Sequence, residues 1–541
     1  MKMSLNIYIG SCLSAIVILC VASCKNLDEN IVSGITESYY TTGDEGFESG
    51  VNAAYAEARN FYGTESGLSV TVFGTDTWTE GSDGGYKNTN EYSAGLNAQN
   101  SLFKSAWQNF YRGINTINAV VDHADKLKID ENLKRTRLGE VRFLRALYYF
   151  NLVRMFGAIP LHIHETSEIT TDVTRTPVLD IYNQIVTDLK YADSVLPVTA
   201  SDWGRATKGA AEDLLSKVYL AKGYVSKDAD DFQKAADYSE EVINSGTYRL
   251  LDNFADVFDQ ENQENKEVIW SIQYTKNVLV NGNGNTDHLY FLMKYDQLAG
   301  MMRSIEYGRP YSRFKPTAFL LNLYAPESDS RYNASFQTVW FSNNASTIPK
   351  DASGKPKFSV GDTAVWMPGY EISDAFRASK SYRIFAPSDY TYQFYPSLSK
   401  YQDPERPTVN ETAGSRDFIV QRLGATYLVA AEAEFQLDHL DNATKYINIL
   451  RVRAANPGHE NEMEVSSSDI TLDFILDERG RELAGEGKRW FDLTRTDQLV
   501  TRVKLHNPEA APNIEAHFSL RPIPTSEIDA ASDSLEQNPG Y

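Results

Sequence analysis

Cysteine is almost missing from this chain: three in 541 residues, at Cys12, Cys20 and Cys24, with none in the remaining length. That excludes a disulfide framework beyond the first segment, and with it cysteine-based zinc or iron-sulfur sites, which need two or more thiolates at close spacing. Positive charge is also short. The 52 Lys and Arg residues face 73 Asp and Glu, a formal net charge of -21, and they form no basic run. Nucleic-acid binding depends on Lys and Arg neutralising phosphates, so nucleic acid is not expected as a partner. Signatures of common catalysts are missing too: there is no G-x-S-x-G, no G-x-x-x-x-G-K-[ST] and no H-E-x-x-H. Neither a cofactor nor a metal is expected. The nearest metal-like spacing, His162 and His164 in L-H-I-H, lacks the third ligand a site needs and reads as surface residues after Pro160.

What is abundant is aromatic surface: 32 Tyr, 25 Phe and 7 Trp. Such rings serve either as core or as flat, polar-edged platforms for ligands, and composition alone does not separate the two. The length permits a large core and more than one sub-domain.

The early cysteines have a different meaning. Lys2, an apolar stretch over residues 7–19 broken by Ser11 and Ser14, and the small residues Ala22 and Ser23 before Cys24 make the three-part layout of a secretory signal peptide. The stretch is short for a membrane span, which needs roughly 20 apolar residues. V-A-S-C resembles the bacterial lipobox, in which the cysteine sulfur takes a diacylglyceryl group before cleavage. Residues 1–23 are then a lipoprotein signal peptide and Cys24 is the lipidation site, an anchor rather than a reactive thiol. Loss of Lys2 with the leader moves the charge from -21 to -22. Residues 24–40 read as a lipidated arm, and its Lys25, Asp28 and Glu29 resemble an address for the outer face of the outer membrane.

Beyond the arm, helical periodicity dominates. It predicts helices over 44–62, 101–124, 133–154, 178–195, 208–224, 231–244, 416–437 and 440–453. Short links and recurrent alanines (Ala210, Ala211, Ala221, Ala235, Ala236, Ala430, Ala431, Ala433, Ala443) suggest stacked, tetratricopeptide-like helix pairs, although no strict 34-residue signature is present. Stretches rich in Gly, Asn, Ser, Pro and Tyr, at 63–100, 260–308 and 324–414, read as loops with little strand beyond 268–274. Long ordered loops in a compact domain commonly carry function. The densest charged segment, 476–493, predicts Asp477, Glu478, Arg479, Arg481 and Glu482 paired across the turns of a helix ended by Gly485 and Gly487. This reads as a structural network that locks Trp490 and Phe491 into the core.

That segment also carries a resemblance. D-E-R-G-R-E-L-A-G-E-G-K-R-W-F-D-L-T-R strongly resembles the C-terminal hallmark of the SusD/RagB family of outer-membrane nutrient-binding lipoproteins. L-R-P-I-P-T-S-E-I and the closing Q-N-P-G-Y, the segment G-E-V-R-F-L-R-A-L-Y-Y-F-N-L-V-R-M-F-G-A-I-P, R-A-T-K-G-A-A and A-E-A are similar to family segments in the expected order. The resemblance implies a mainly α, SusD-like fold: about four tetratricopeptide-like helix pairs as a scaffold, long loop-rich insertions and minor β. It divides the chain into a helical region at 41–260 and a RagB/SusD region at 261–541 that holds the binding insertions. It implies no enzyme activity, but capture of oligosaccharides or polysaccharides at the cell exterior and delivery to a SusC-like TonB-dependent outer-membrane transporter. The alternatives are a peptide-capturing member, a surface glycoside hydrolase and a purely structural helical adaptor. The 73 acidic residues neither favour nor exclude the paired carboxylates of a hydrolase.

Sugars present apolar C–H faces and a rim of hydroxyls, so a capture site wants exposed rings with amide or carboxylate partners. In F-G-T-D-T-W-T-E-G-S-D-G-G-Y, Trp78 sits among glycines without helical period and is the first candidate platform, with Asp76, Asp83 and Tyr86 at its edges. The stretch resembles the family's glycan-facing loop. Asn283, Asp287 and Tyr290, beside His288, form a second candidate; Trp340, Trp366, Tyr307, Arg309 and Tyr311 complete the set. Trp107, Trp490 and Phe491 read as core.

Overall fold

The computed structural model describes residues 44–168, 171–531 and 535–541. Cys24, the signal peptide and the lipidated arm lie outside the described residues.

Eight helices form a row. They are α1 (Asp44–Glu57), α3 (Ser101–His123), α4 (Glu131–Phe156), α5 (Val178–Val195), α6 (Lys208–Ser226), α7 (Ala229–Asn244), α8 (Leu423–Gln436) and α9 (Leu440–Arg453), and each packs against the next. Taken two at a time they are the four pairs that the stacked-hairpin reading expects. Their starts follow local chemistry: side chains of Asn100, Asp130, Thr207 and Asp228 accept hydrogen bonds from first-turn N–H groups. All nine alanines named above are buried, which lets neighbouring helices approach. Trp107, Trp490 and Phe491 lie in the same core. The row runs through both sequence regions, because α8 and α9 extend what α1 and α3 to α7 begin.

Two expectations need correction. The helix predicted over 416–437 begins late: residues Phe418–Arg422 are strand β7, paired antiparallel with β2 (Val268–Ile272), and α8 starts only at Leu423. The run F-I-V satisfies strand as well as helix, and pairing with β2 decides it. The stretch 63–100 is not an exposed loop. It contains α2 (Glu65–Thr71), β1 (Trp78–Glu80) and a short helix at Lys87–Glu91, and most of residues 67–81 are buried. Its threonines make this possible by satisfying backbone groups from within: Thr71 Oγ1 and Thr75 Oγ1 each donate at 2.8 Å to the carbonyls of Gly67 and Val72.

Three further helices, α10 (Leu472–Glu482), α11 (Arg489–Arg495) and α12 (Leu499–His506), pack against the row. Over them lies an irregular layer with two aromatic cores. One gathers Trp78, Phe291, Phe314, Tyr324 and Phe336; the other gathers Tyr295, Tyr307, Trp340, Val365 and Phe385. Short ladders hold the layer together. Strand β1 pairs with β3 (Phe314–Pro316), and β4 (Val339–Phe341), β5 (Thr363–Trp366) and β6 (Arg383–Ile384) form a three-stranded sheet.

Charge joins the two layers. The carboxylates of α10 pair less along their own helix than with arginines from other elements. Arg331 reaches Glu478 at 2.7 Å and Glu482 at 3.0 Å, Arg422 reaches Glu482 at 2.8 Å and Glu486 at 2.8 Å, and Arg453 reaches Glu482 at 2.6 Å. Only the Glu478–Arg481 pair runs between turns of α10 as the spacing suggested. The partners missing from the local reading lie up to 151 residues away.

Candidate functional site

The structure sorts the candidate residues by exposure. Trp78 is 1% exposed: β1 turns it inward, with its ring 4.7 Å from Phe291 and 6.5 Å from Phe336. A ring packed on these neighbours has no free face for a sugar, so the expected platform is corrected to core. Gly81 is a point of close approach, where a Cβ would lie 2.2 Å from the Ser312 carbonyl oxygen. Asp76 is fully buried and holds two arginines, Arg489 (2.6 Å) and Arg502 (2.8 Å). Burial alone would raise its carboxyl, but the two guanidiniums outweigh that and hold it below the ordinary carboxylate value.

Four more candidates are interior. Trp340 lies in the second aromatic core, and the Tyr307 hydroxyl accepts from the Phe341 N–H at 3.1 Å. Tyr290 is buried with its hydroxyl donating to Thr286 Oγ1 at 2.7 Å. Asp287 is buried with neither carboxylate oxygen hydrogen-bonded, and burial pushes its pKa well above the usual range. The adjacent His288 is driven down to about 4 by burial and then by Arg406. Asn283 is exposed on its turn, and Tyr86 is half-buried against the helical core. His162 is half-buried and His164 pairs with Asp122 at 3.0 Å; among the described residues no group of three or more His, Cys, Asp or Glu is placed to hold a metal.

Two surface patches survive this sorting. The first centres on Trp366, half-buried at the end of β5. Its carbonyl accepts from the Phe385 N–H at 3.0 Å, which fixes the backbone against β6. Gly369 then turns the chain with φ +81°, a value that favours glycine, and brings Tyr370 back to 6.3 Å from the Trp366 ring. Ser373 caps the short helix Asp374–Ala378, which presents Phe376 at 6.3 Å from the same indole. Tyr370 is 59% exposed and Phe376 41%. Polar groups rim the rings: the Glu371 carboxylate accepts from the Ser388 N–H and Oγ, both at 2.8 Å, and Lys380 Nζ lies 4.5 Å from the Phe376 centroid.

The second patch brings together Asp83, Arg309 and Tyr311. Tyr311 is half-buried, flanked by the guanidiniums of Arg309 (5.3 Å) and Arg313 (5.0 Å). Asp83 pairs with Arg313 at 2.9 Å, and its slight burial is outweighed by the Gly84 N–H, Arg313 and Lys294, which hold the carboxyl low. Nearby, Lys315 Nζ sits 4.7 Å from the ring of Tyr392, which is 45% exposed. The segment 388–395 connects the patches. It meets Glu371 at one end and, at the other, places the Tyr395 hydroxyl 3.0 Å from Ser312 Oγ.

Tyr370, Phe376, Arg313 and Tyr392 are absent from the sequence-based set. The signal that singled out Trp78, an aromatic residue among turn formers without helical period, is equally present in M-P-G-Y at 367–370. Applied there, it finds an exposed ring.

Fold and site together define a helical-repeat scaffold bearing an irregular layer with exposed aromatic rings. Comparison with known proteins assigns it further. The SusD family model matches residues 266–541, and a second, described as "Starch-binding associating with outer membrane", matches residues 46–220. The chain belongs to the SusD family. It is 28% identical to SusD-like protein P2 of Formosa agariphila over 97% of this chain and 98% of that protein. It is 26% identical to the starch-binding protein SusD of Bacteroides thetaiotaomicron over 79% of this chain and 76% of that one. Among solved structures, a SusD superfamily protein from Parabacteroides distasonis superposes with TM-score 0.71 at 23% identity, covering 92% of this chain and 99% of that one. Surface glycan-binding protein A from Bacteroides thetaiotaomicron, solved with laminarihexaose, superposes with TM-score 0.68 at 21% identity, covering 92% and 100%.

Proposed function

We propose that this protein is a non-catalytic glycan-capturing lipoprotein of the outer membrane, tethered through lipid on Cys24, facing the cell exterior and handing oligosaccharides or polysaccharides to a SusC-like TonB-dependent transporter. The observation that carries the glycan reading is the Trp366, Tyr370 and Phe376 cluster. Three rings, from the end of the central strand β5, the turn after it and the short helix Asp374–Ala378, offer apolar faces, and Glu371, Ser388 and Lys380 supply hydrogen-bonding groups at the rim, the combination that a sugar ring requires. Asp83, Arg309 and Tyr311 form an accessory subsite for hydroxyls farther along the same chain. Relatives named for starch or laminarin binding support the ligand class.

The experiment is isothermal titration of the purified chain with a panel of polysaccharides, led by starch- and laminarin-type glucans, followed by Trp366→Ala with Tyr370→Ala on the glycan that binds. Loss of each stacked ring is expected to weaken affinity by roughly 5- to 30-fold, from about 1–2 kcal/mol per ring. Undiminished affinity in the double variant moves the site away from this patch. Release of reducing ends, or tight peptide binding with no glycan binding, overturns the reading.

A further inference from the structure

Within the scaffold, away from both surface patches, α4, α6, β7, α8, α10 and α11 line a partly open cavity of about 80 Å³. That is several times what a single ordered water needs, roughly 10–15 Å³. Its wall is unusual in charge. Arg154, Lys217, Arg479, Lys488 and Arg495 line it, with Asp492 as the one carboxylate in the lining. Two further acids lie directly behind these cations: Asp213 pairs with Lys217, and Glu432 with Arg495. Asp492 itself is shared between Arg479 at 2.7 Å and Arg495 at 3.1 Å. Five cations therefore meet three carboxylates.

The surplus falls on Arg154 and Lys488. Arg154 lies between the rings of Phe150 (3.7 Å) and Phe491 (3.8 Å) and donates to the Phe150 carbonyl and to Asn151 Oδ1. No carboxylate of the described residues forms an ion pair with it. Lys488 donates to the Val420 carbonyl at 3.0 Å, which uses one of the three N–H bonds of an ammonium, and it too has no ion-pair partner among the described residues. Arg479 leaves Nε and Nη1 without a hydrogen-bond partner although its side chain is only 7% exposed. Buried donors and unpaired cations are costly unless something accepts from them and neutralises the field.

We infer that the cavity is an internal anion site that takes one small monovalent inorganic anion, of the halide class, held by Lys488, Arg154 and the free N–H groups of Arg479. An anion there lies between the helical row and α10–α11, so its role is to complete that junction. The site also gives Lys488 a task distinct from that of its neighbour Arg489, which turns away to Asp76. Burial, then Lys217 and Arg154, push the Lys488 ammonium down to about 7, outweighing the opposing pull of Glu486 and Asp213.

The test is crystallisation of the full mature chain from sodium bromide, read by bromine anomalous scattering, together with thermal unfolding at about pH 6, below the Lys488 value of about 7. Bromide is compared with gluconate at equal ionic strength. An anomalous peak inside the cavity is expected, and a tenfold rise in bromide should raise the unfolding midpoint by about 1 °C for a chain of this size. Lys488→Met should abolish that rise. Density that refines as water only, with no bromine peak, overturns the proposal. So does a bromide response of equal size in Lys488→Met, since the halide would then act elsewhere. The peak in the wild-type crystal decides the matter should the variant fail to fold.

Discussion

Asp76 and Trp78 are two positions apart and both were expected at the ligand, yet each has structural work that its surroundings define. Asp76, itself fully buried, pairs with both Arg489 and Arg502. Asp76→Asn leaves Arg489 without a carboxylate, while Arg502 keeps Asp473 and Asp477, and is expected to cost about 3–5 kcal/mol of stability by chemical denaturation. Trp78→Ala opens a cavity among Phe291 and Phe336, with an expected loss of about 3–5 kcal/mol and no change in glycan affinity per folded molecule. Asp287 behaves in the opposite sense. Its folded-state pKa is raised, so its contribution is fully present below the unfolded value of 3.8 and is lost as pH rises through the folded one. Asp287→Asn should therefore gain in unfolding midpoint relative to wild type as pH rises from about 4 to 7; parallel midpoint curves for the two proteins would show that the carboxyl is solvated. The sequence distinguished core from surface well wherever a ring sat on a helical stripe, as with Trp107 and Trp490. It did not where the ring sat among Gly and Thr, because those residues permit a buried turn as readily as an exposed one.

At the scale of elements, most helices were legible because their apolar stripes and N-caps lie within a few residues of one another. The boundary of α8 was not. Residues 418–422 become strand through pairing with β2, some 150 positions earlier in the chain, which local propensity, satisfied by either element, does not decide. The same distance hides the partners of α10. Burial pushes Glu482 up, but Arg453, Arg422 and Arg331 carry it down to about 2, below its ordinary 4.5. A depressed carboxyl stabilises the fold above its unfolded value, and that stability is lost as pH falls through the folded one. The network's contribution should thus hold above about pH 4.5 and decline from there towards pH 2. Equilibrium denaturation across that window checks it: Glu482→Gln should be strongly destabilised at neutral pH and should converge with wild type as the acid limit is approached. A difference that stays constant down to pH 2 would contradict the assigned ion pairs.

For the whole molecule, the helical row and the irregular layer divide the labour. Apart from the junction of α7 with α8, the row is assembled from helices close in sequence and is readable as such; the layer is assembled from short ladders and two aromatic cores, so its exposed face is visible only once the inward rings are set apart. Among the described residues no helix is long and apolar enough to cross a membrane. The central claim is that the outward rings of the layer, led by Trp366, capture glycan without cleaving it. The most direct measurement is calorimetric titration of wild type and of Trp366→Ala/Tyr370→Ala with the polysaccharide that the wild type binds, with reducing ends assayed in the same samples. The account predicts saturable binding by wild type, affinity reduced by at least tenfold in the variant and no new reducing ends in either. Equal binding by both proteins, or accumulation of reducing sugar with wild type, would contradict it.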